Sequence, residues 1–268
     1  MRIGIAGITG RMGQMLAEEV GRAKQELAGG TSRSGDNLAA LAARSDVVID
    51  FTHASTVVAH AAILGEVGTA WVLGTSGLTD ADDAAVTEAA RRIAVVHAPN
   101  FAPGVNLVLA LAERMAAALP AEEYDAEIVE MHHRQKVDAP SGTAIGLGRA
   151  VAAGRGVALA SVRESGRDGH VGPRKPGAIG FASLRGGQVV GEHTLLFAAA
   201  DEQISLTHRA FDRRAFATGA IRAARWVMGR PAGLYDMMDV LGMRVGSSGA
   251  TAGGKGKDEA LPQTPPKA

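Results

Sequence analysis

The first hundred residues alternate short unbroken apolar runs with stretches in which apolar residues return every three to four positions. Arg2 to Ala6 is one such run and suits a buried strand. From Arg11 to Leu27, residues Met12, Met15, Leu16, Val20, Ala23 and Leu27 keep near a 3.6-residue period, which predicts a helix over that span. Asp46 to Phe51, with Val47, Val48 and Ile49, is the next unbroken run. A helix over Ser55 to Glu66, a strand at Ala70 to Leu73, a helix over Asp80 to Arg92 and a strand at Ile93 to His97 follow. Unbroken runs suit strands covered on both faces, and their alternation with helices predicts a doubly wound, Rossmann-like parallel sheet of the α/β class.

The pattern changes after Asn100. A helix from Val105 to Leu119 leads to a strand at Ala126 to Met131, and a further helix starts near Ser141. From Ile179 to Leu206 strands succeed one another without helices, and Arg185-Gly186-Gly187 and Ala200-Asp201-Glu202 read as hairpin turns. This predicts a second, α+β domain with a largely antiparallel or mixed sheet. Phe211 to Met228 is again helical. The expected division is 1–103 for the first domain, completed by a return of 214–245, and 104–213 for the second. From Gly246 the chain turns to Gly, Ser, Thr, Lys and Pro, so 246–268 is expected to be a disordered tail.

Composition narrows the class of function. Of 268 residues 46% are hydrophobic, enough to build real cores. Lys plus Arg and Asp plus Glu balance at 28 each, so no global field draws nucleic acid or anionic lipid, and any anion site is local. The absence of cysteine excludes disulfides, thiolate catalysis and Cys-bound metal. The N-terminus enters a strand-like run without a signal pattern, and no apolar stretch reaches the roughly 18 residues of a bilayer span. The expectation is a cytoplasmic protein with neither nucleic-acid nor membrane partners.

Gly7-Ile8-Thr9-Gly10-Arg11-Met12-Gly13 follows the first strand and opens the first helix. Gly7 permits a tight turn, Gly10 lets backbone approach a pyrophosphate, and Gly13 lets helix and strand pack closely. The helix start then offers N–H groups to phosphate. The spacing is G-x-x-G-x-x-G rather than the commoner G-x-G-x-x-G, and a plain structural turn would use the same glycines. In Gly30-Thr31-Ser32-Arg33-Ser34-Gly35 no carboxylate precedes Asp36, while Arg33 and neighbouring hydroxyls suit a 2′-phosphate. The cofactor is therefore NADPH or NADH, with NADPH favoured.

The densest chemistry runs from Glu130 to Thr143, EMHHRQKVDAPSGT. On extended backbone His132 and His133 point to opposite faces and take different tasks. Ser141-Gly142-Thr143 opens a helix beside Arg134 and Lys136, a receptor for a carboxylate or phosphate. Metal ligation by the paired histidines is disfavoured, since neighbours on a strand diverge and no third ligand stands at a metal-like spacing. A solvated basic loop explains the charges but not the capture turn.

With Gly7 to Gly13, Gly74-Thr75-Ser76-Gly77, Ala98-Pro99-Asn100-Phe101 and His132 to Thr143 assembled, the chain resembles the 4-hydroxy-tetrahydrodipicolinate (dihydrodipicolinate) reductase family from residue 2 to about 244. Gly191-Glu192-His193-Thr194 and Gly233 to Met237 add to the match. The resemblance implies an NAD(P)H-dependent reductase of a cyclic dicarboxylate in lysine biosynthesis through diaminopimelate. It implies that Gly7, Ile8, Thr9, Gly10, Arg11 and Met12 hold the pyrophosphate. Gly74, Thr75 and Ser76, with Ala98, Pro99, Asn100 and Phe101, would line the nicotinamide side. His132 and Lys136 would be the acid/base residues, and His133, Ser141, Gly142 and Thr143 would bind substrate carboxylates. It further implies a homotetramer formed through the second domain's sheet. The chain departs from better-known members in a shorter segment between Gly30 and Asp46, and in Gln135 where some relatives carry histidine.

Two other enzyme classes and one non-enzyme share parts of this pattern. Semialdehyde dehydrogenases need a cysteine nucleophile, which the chain lacks. An aspartate dehydrogenase or similar imine reductase would lack the His-His-Arg-x-Lys string. A nucleotide-sensing regulator would be free to lose His132, His133 and Lys136, all of which are present.

Overall fold

Two sheets organise the described residues, 1–32 and 36–244, of a computed structural model. Arg33 and the 246–268 segment lie outside them. In chain order the first part holds β1 (Arg2–Ala6), α1 (Arg11–Arg22), β2 (Glu26–Thr31), α2 (Leu38–Ala43), β3 (Val47–Asp50), α3 (Val57–Val67), β4 (Ala70–Leu73), α4 (Asp80–Ala90) and β5 (Ala94–His97). The second part holds α5 (Pro103–Ala118), β6 (Asp125–His132), α6 (Gly142–Gly154), α7 (Leu159–Val162), β7 (Arg163–Ser165), β8 (Ile179–Arg185), β9 (Gly191–Ala198) and β10 (Gln203–Ala210). The chain then returns through α8 (Arg214–Val227), β11 (Gly233–Tyr235) and α9 (Met237–Leu241).

The first sheet is parallel throughout, in the order β11-β5-β4-β3-β1-β2. Its unbroken apolar runs have a plain cause: β3 is buried at every position because both faces are covered. On one face Ile3, Ile5, Ile49, Val72 and Val96 pack with Leu16 and Val20 of α1 and Ala217, Ala220 and Ala224 of α8. On the other, Val48, Trp71, Leu73 and Val95 meet Val57, Leu64 and Val86.

The predicted helix to Leu27 is too long. It stops at Arg22, Lys24 takes a left-handed φ of 54°, and Leu27 lies in β2. Leu27 matches the helical phase by coincidence. β2 escapes the hydrophobic pattern because it is a partly exposed edge strand containing Gly29-Gly30. A Cβ at Gly30 would stand 2.4 Å from Ile8 Cβ, so glycine lets this strand lie against the turn after β1.

The second sheet is mixed, in the order β10-β9-β6-β8-β7, with β10-β9 and β9-β6 antiparallel and β6-β8 and β8-β7 parallel. The Ala200–Glu202 turn makes the expected hairpin, closed by Ala199 N–H donating to Glu202 O at 2.9 Å. The Arg185–Gly187 turn does not, because β6 inserts between β8 and β9. A glycine turn reports that the chain reverses, not which strand it pairs with next. α5 and α6 cover one face of this sheet, where Val108, Ala112, Leu147 and Val151 pack on Ile128, Leu195 and Phe197. Among the described residues no helix or strand covers the other face. Among the described residues no helix is long and apolar enough to cross a membrane.

The two parts join where α8 crosses the start of α5. Gly219 makes that crossing possible, since a Cβ there would stand 1.7 Å from Phe101 O, a backbone atom. Gly219→Ala is expected to destabilise the protein by about 1–3 kcal/mol or more through overpacking, read as a lower urea midpoint.

Candidate active site

The glycine turn is shaped for a dinucleotide. Gly7 sits at φ +75°, and Gly10 N–H donates to Gly7 O at 3.0 Å. Gly10 caps α1 in an extended conformation without a side-chain hydrogen bond, leaving the first-turn N–H groups for a ligand. A Cβ on Gly13 would come within 2.2 Å of Gly7 O, so α1 can approach β1 only with glycine there. Cradle, helix start and parallel sheet therefore fit a nicotinamide dinucleotide.

Gly74 to Ser76 follow β4 and Ala98 to Phe101 follow β5, at carboxyl ends of neighbouring parallel strands. Ser76, Pro99 and Asn100 open onto a cavity of about 680 Å³. Thr75, Ala98 and Phe101 are buried in the packing beneath it, and the ring of Phe101 lies 5.4 Å from that of Phe51. Residues Gly7 to Met12 do not line this cavity; they lie along the same sheet edge, at the end of β1.

The opposite wall comes from the second part. His132, His133, Lys136, Ser141, Gly142 and Thr143 all face the same cavity as Ser76 and Asn100. The expectation that the two histidines diverge fails, because β6 ends at His132 and His133 already belongs to the following turn, where its N–H donates to Val189 O at 2.7 Å. Two further cations, Arg149 and Arg213, line the cavity, and neither has an ion partner among the described residues. Arg149 was legible in principle: Gly142, Gly146 and Arg149 are spaced i, i+4 and i+7 along α6 and share a face.

Behind this wall lies a buried polar network that sequence reasoning missed. His132 Nδ1 is 2.5 Å from Glu130 Oε2, and period-2 alternation puts both side chains on the inner face of β6. Arg185 donates to Glu130 through Nη1 at 3.0 Å and Nη2 at 2.9 Å, and Ser141 N–H donates to Glu130 Oε1 at 3.3 Å. Ser141 Oγ accepts from Ala144 N–H at 3.2 Å, capping α6, and lies 2.9 Å from His193 Nε2. The His193 and His132 rings meet edge to face with centroids 5.0 Å apart. In the loop, Lys136 Nζ donates to Asp138 Oδ1 at 2.7 Å, and Arg185 Nη2 donates to Asp138 O at 2.6 Å.

Glu130, His132 and His193 bring ligand-type atoms within 4.8 Å of one another, a third partner that local spacing did not reveal. Both Glu130 oxygens are already engaged by the Arg185 guanidinium, whose permanent charge opposes a second cation. The cluster is built as a hydrogen-bond network. Burial pushes the Glu130 carboxyl up, but hydrogen bonds from Arg185, Ser183 and His132 together hold it below its ordinary range. Burial also lowers His132, outweighing Glu130, and lowers His193 to about 4.

A dinucleotide cradle at the end of β1 and a cationic recess beyond the ends of β4 and β5 suit a nicotinamide-dependent oxidoreductase, and the chain is one. The N-terminal family model of dihydrodipicolinate reductase matches residues 1–101, and the C-terminal model matches 104–241. The chain belongs to the dihydrodipicolinate reductase family. It is 70% identical over 256 residues to the 4-hydroxy-tetrahydrodipicolinate reductase of Granulibacter bethesdensis, covering 91% of this chain and 98% of that protein. It is 65% identical over 243 residues to the enzyme of that name from Acidiphilium cryptum, with the same coverages. Among solved structures, dipicolinate-bound dihydrodipicolinate reductase from Paenisporosarcina sp. TG-14 superposes with a TM-score of 0.69 at 25% identity, over 89% of this chain and 98% of that one. A probable dehydrogenase from Thermotoga maritima shares the fold, at a TM-score of 0.58 and 11% identity over 91% and 93% of the two chains.

His193 titrates near 4 when folded and near its ordinary 6.5 when unfolded, so between these values the unfolded chain binds more protons. Stability from this group is complete above pH 6.5 and is lost as pH falls toward 4, on the order of 3 kcal/mol in all. His193→Asn is expected to flatten that part of the acid limb in denaturation curves taken from pH 7 to 4.

Proposed function

We propose that the protein reduces 4-hydroxy-tetrahydrodipicolinate to tetrahydrodipicolinate with NADPH or NADH, the 4-hydroxyl leaving as water, in the diaminopimelate route to lysine. One observation carries the reading: Ser76 and Asn100, beside the dinucleotide-binding edge, share a cavity with His132, Lys136 and the Ser141-Gly142-Thr143 turn. Residues 1–103 with 214–245 act as the dinucleotide unit, a division supported by β11 pairing with β5. Residues 104–213 act as the substrate unit.

When bound between them, the reduced nicotinamide supplies hydride from C4 to the substrate ring. Backbone N–H groups of Gly142 and Thr143, at the start of the 13-residue α6, hold one substrate carboxylate with help from Ser141 and His133. Arg149 and Arg213 supply the charge for the other. Lys136, tethered to Asp138, gives the proton that balances hydride addition, and His132 works beside it.

NADPH is the preferred cofactor, on the strength of Arg33 and the hydroxyls beside it. Asp36, the nearest carboxylate, is turned onto Ser32 N–H at 2.7 Å. The protein is a homotetramer assembled through the uncovered face of the second sheet. Val129, Leu184, Leu196 and the Thr194–Thr207 hydroxyl pair stand on that face, and Leu184 is 51% exposed. A cytoplasmic setting and a small-molecule partner, without nucleic acid or membrane, complete the reading.

The test is oxidation of NADPH and NADH, side by side, with substrate generated in place by dihydrodipicolinate synthase from pyruvate and aspartate semialdehyde. Synthase-dependent oxidation, faster with NADPH at low cofactor concentration, is the expected result. Absence of oxidation by a folded, cofactor-binding protein would favour a nucleotide sensor or another imine reductase. Lys136→Ala is expected to lower kcat by roughly 100-fold or more while cofactor Kd stays within two-fold. Unchanged turnover would remove Lys136 from the chemistry.

A further inference from the structure

The Glu130–Arg185 pair lies outside the residues that line the cavity, yet His132, Ser141 and the loop that carries Lys136 are all tied to it. Glu130 comes from β6, Arg185 from β8, and the two strands run side by side in parallel, with Glu130 registered against Ser183 and His132 against Arg185. The carboxylate is buried and accepts hydrogen bonds from Arg185 (two), Ser141 N–H, His132 and Ser183. The guanidinium spends a further N–H on Asp138 O, the residue that tethers Lys136.

We propose that Glu130 and Arg185 are positioning residues that hold His132 in a single tautomer, Nδ1–H toward Glu130 and bare Nε2 toward the cavity, and so divide the acid and base roles between His132 and Lys136. The proposal rests on the reading of this cavity as the reductase site. A carboxylate held ionised by a bidentate arginine can only accept, so the His132 nitrogen 2.5 Å away must donate. The neutral ring then carries its one proton on Nδ1, and Nε2 is left with a lone pair. Nε2 makes no hydrogen bond to protein among the described residues. Gly191 leaves space beside it, since a Cβ there would stand 3.0 Å away.

Two consequences follow for the reaction. His132 in its neutral form is an acceptor in the cavity and cannot be the proton donor. It orients a donor, such as the ammonium of Lys136 or a hydroxyl of the substrate. Lys136 is therefore the donor, and its reach is set by a loop that Arg185 fastens at Asp138. Arg185, far from the His132–Thr143 string in sequence but beside it in the sheet, acts on both residues at once.

The direct test is the protonation pattern of His132 in the full-length protein labelled with ¹⁵N-histidine, read by long-range ¹H–¹⁵N correlation at pH 7.5 and assigned through His132→Asn. The expected spectrum has a pyrrole-type Nδ1 and a pyridine-type Nε2. A protonated Nε2, or two averaged nitrogens, would overturn the proposal whether or not the protein reduces the dicarboxylate. Glu130→Gln and Arg185→Gln are expected to lose the single tautomer and to lower kcat by 10-fold to 100-fold. Cofactor KM should stay within two-fold and the pH profile should change shape. A variant that keeps the wild-type tautomer and pH profile counts against the idea, as does a fall in kcat that tracks only a loss of folded protein. Should Glu130→Gln fail to fold, the wild-type spectrum and Arg185→Gln still decide the question.

Discussion

A carboxylate buried near the end of β6 stays ionised chiefly because Arg185 meets both of its oxygens, with Ser183 and His132 adding to the effect. Removing one partner of such a pair leaves an uncompensated charge in low dielectric, which costs about 3–5 kcal/mol. The contact is better understood as a constraint than as a store of stability, since a well-packed apolar pair would hold the strands as firmly. What it supplies is direction. A histidine, a helix start and a loop lysine are each oriented by one ion pair whose own geometry is fixed by two parallel strands. The site is thus anchored on sheet, although His133, Lys136 and Ser141 belong to the loop after β6.

The two sheets meet different demands, and their sequences differ accordingly. The inner strands of the parallel sheet are buried on both faces and spend their side chains on packing, so their ligand chemistry is confined to the turns at their carboxyl ends. β6 is buried on one face only, with alternate positions inward. That alternation lets a strand carry Ala126 and Ile128 into the core and then Glu130 and His132 toward the cavity, on the same face and within eight residues. The polar wall of the cavity is the continuation of the hydrophobic core.

How much of this was legible follows from the range of each signal. The strands from Val47 to His97 and the helix after Ser141 were read nearly to the residue, because burial on both faces and an N-cap serine leave local marks. The start of β2, Glu26 and Leu27, was absorbed into the predicted helix because the glycines that follow pack by having no side chains and leave no hydrophobic mark. The order of the mixed sheet was misread at Arg185 because strand pairing is not a local property. In the site, the string from His132 to Thr143 announced itself by density. Arg185 and His193 did not, since each meets Glu130 or Ser141 only through the fold. Arg213 stood at the entry to α8, marked by nothing but charge.

The first sheet ends on β11, which pairs with β5 only after the whole second part of the chain has been laid down between them. During synthesis the β5 edge, with Ala94, Val95 and Val96, must wait for residues 233–235, while the strands and helices from 103 to 210 emerge and can condense on their own core. Until then the growing chain exposes an unpaired apolar strand edge, the kind of surface that recruits wrong partners. Arg244 then bridges Asp236 and Asp239 just beyond β11, clasping the last turn over the seam. The nucleotide-binding half of this reductase is begun first and finished last, so a ribosome that stalls late would release a chain whose second core is complete and whose first sheet still has an open side.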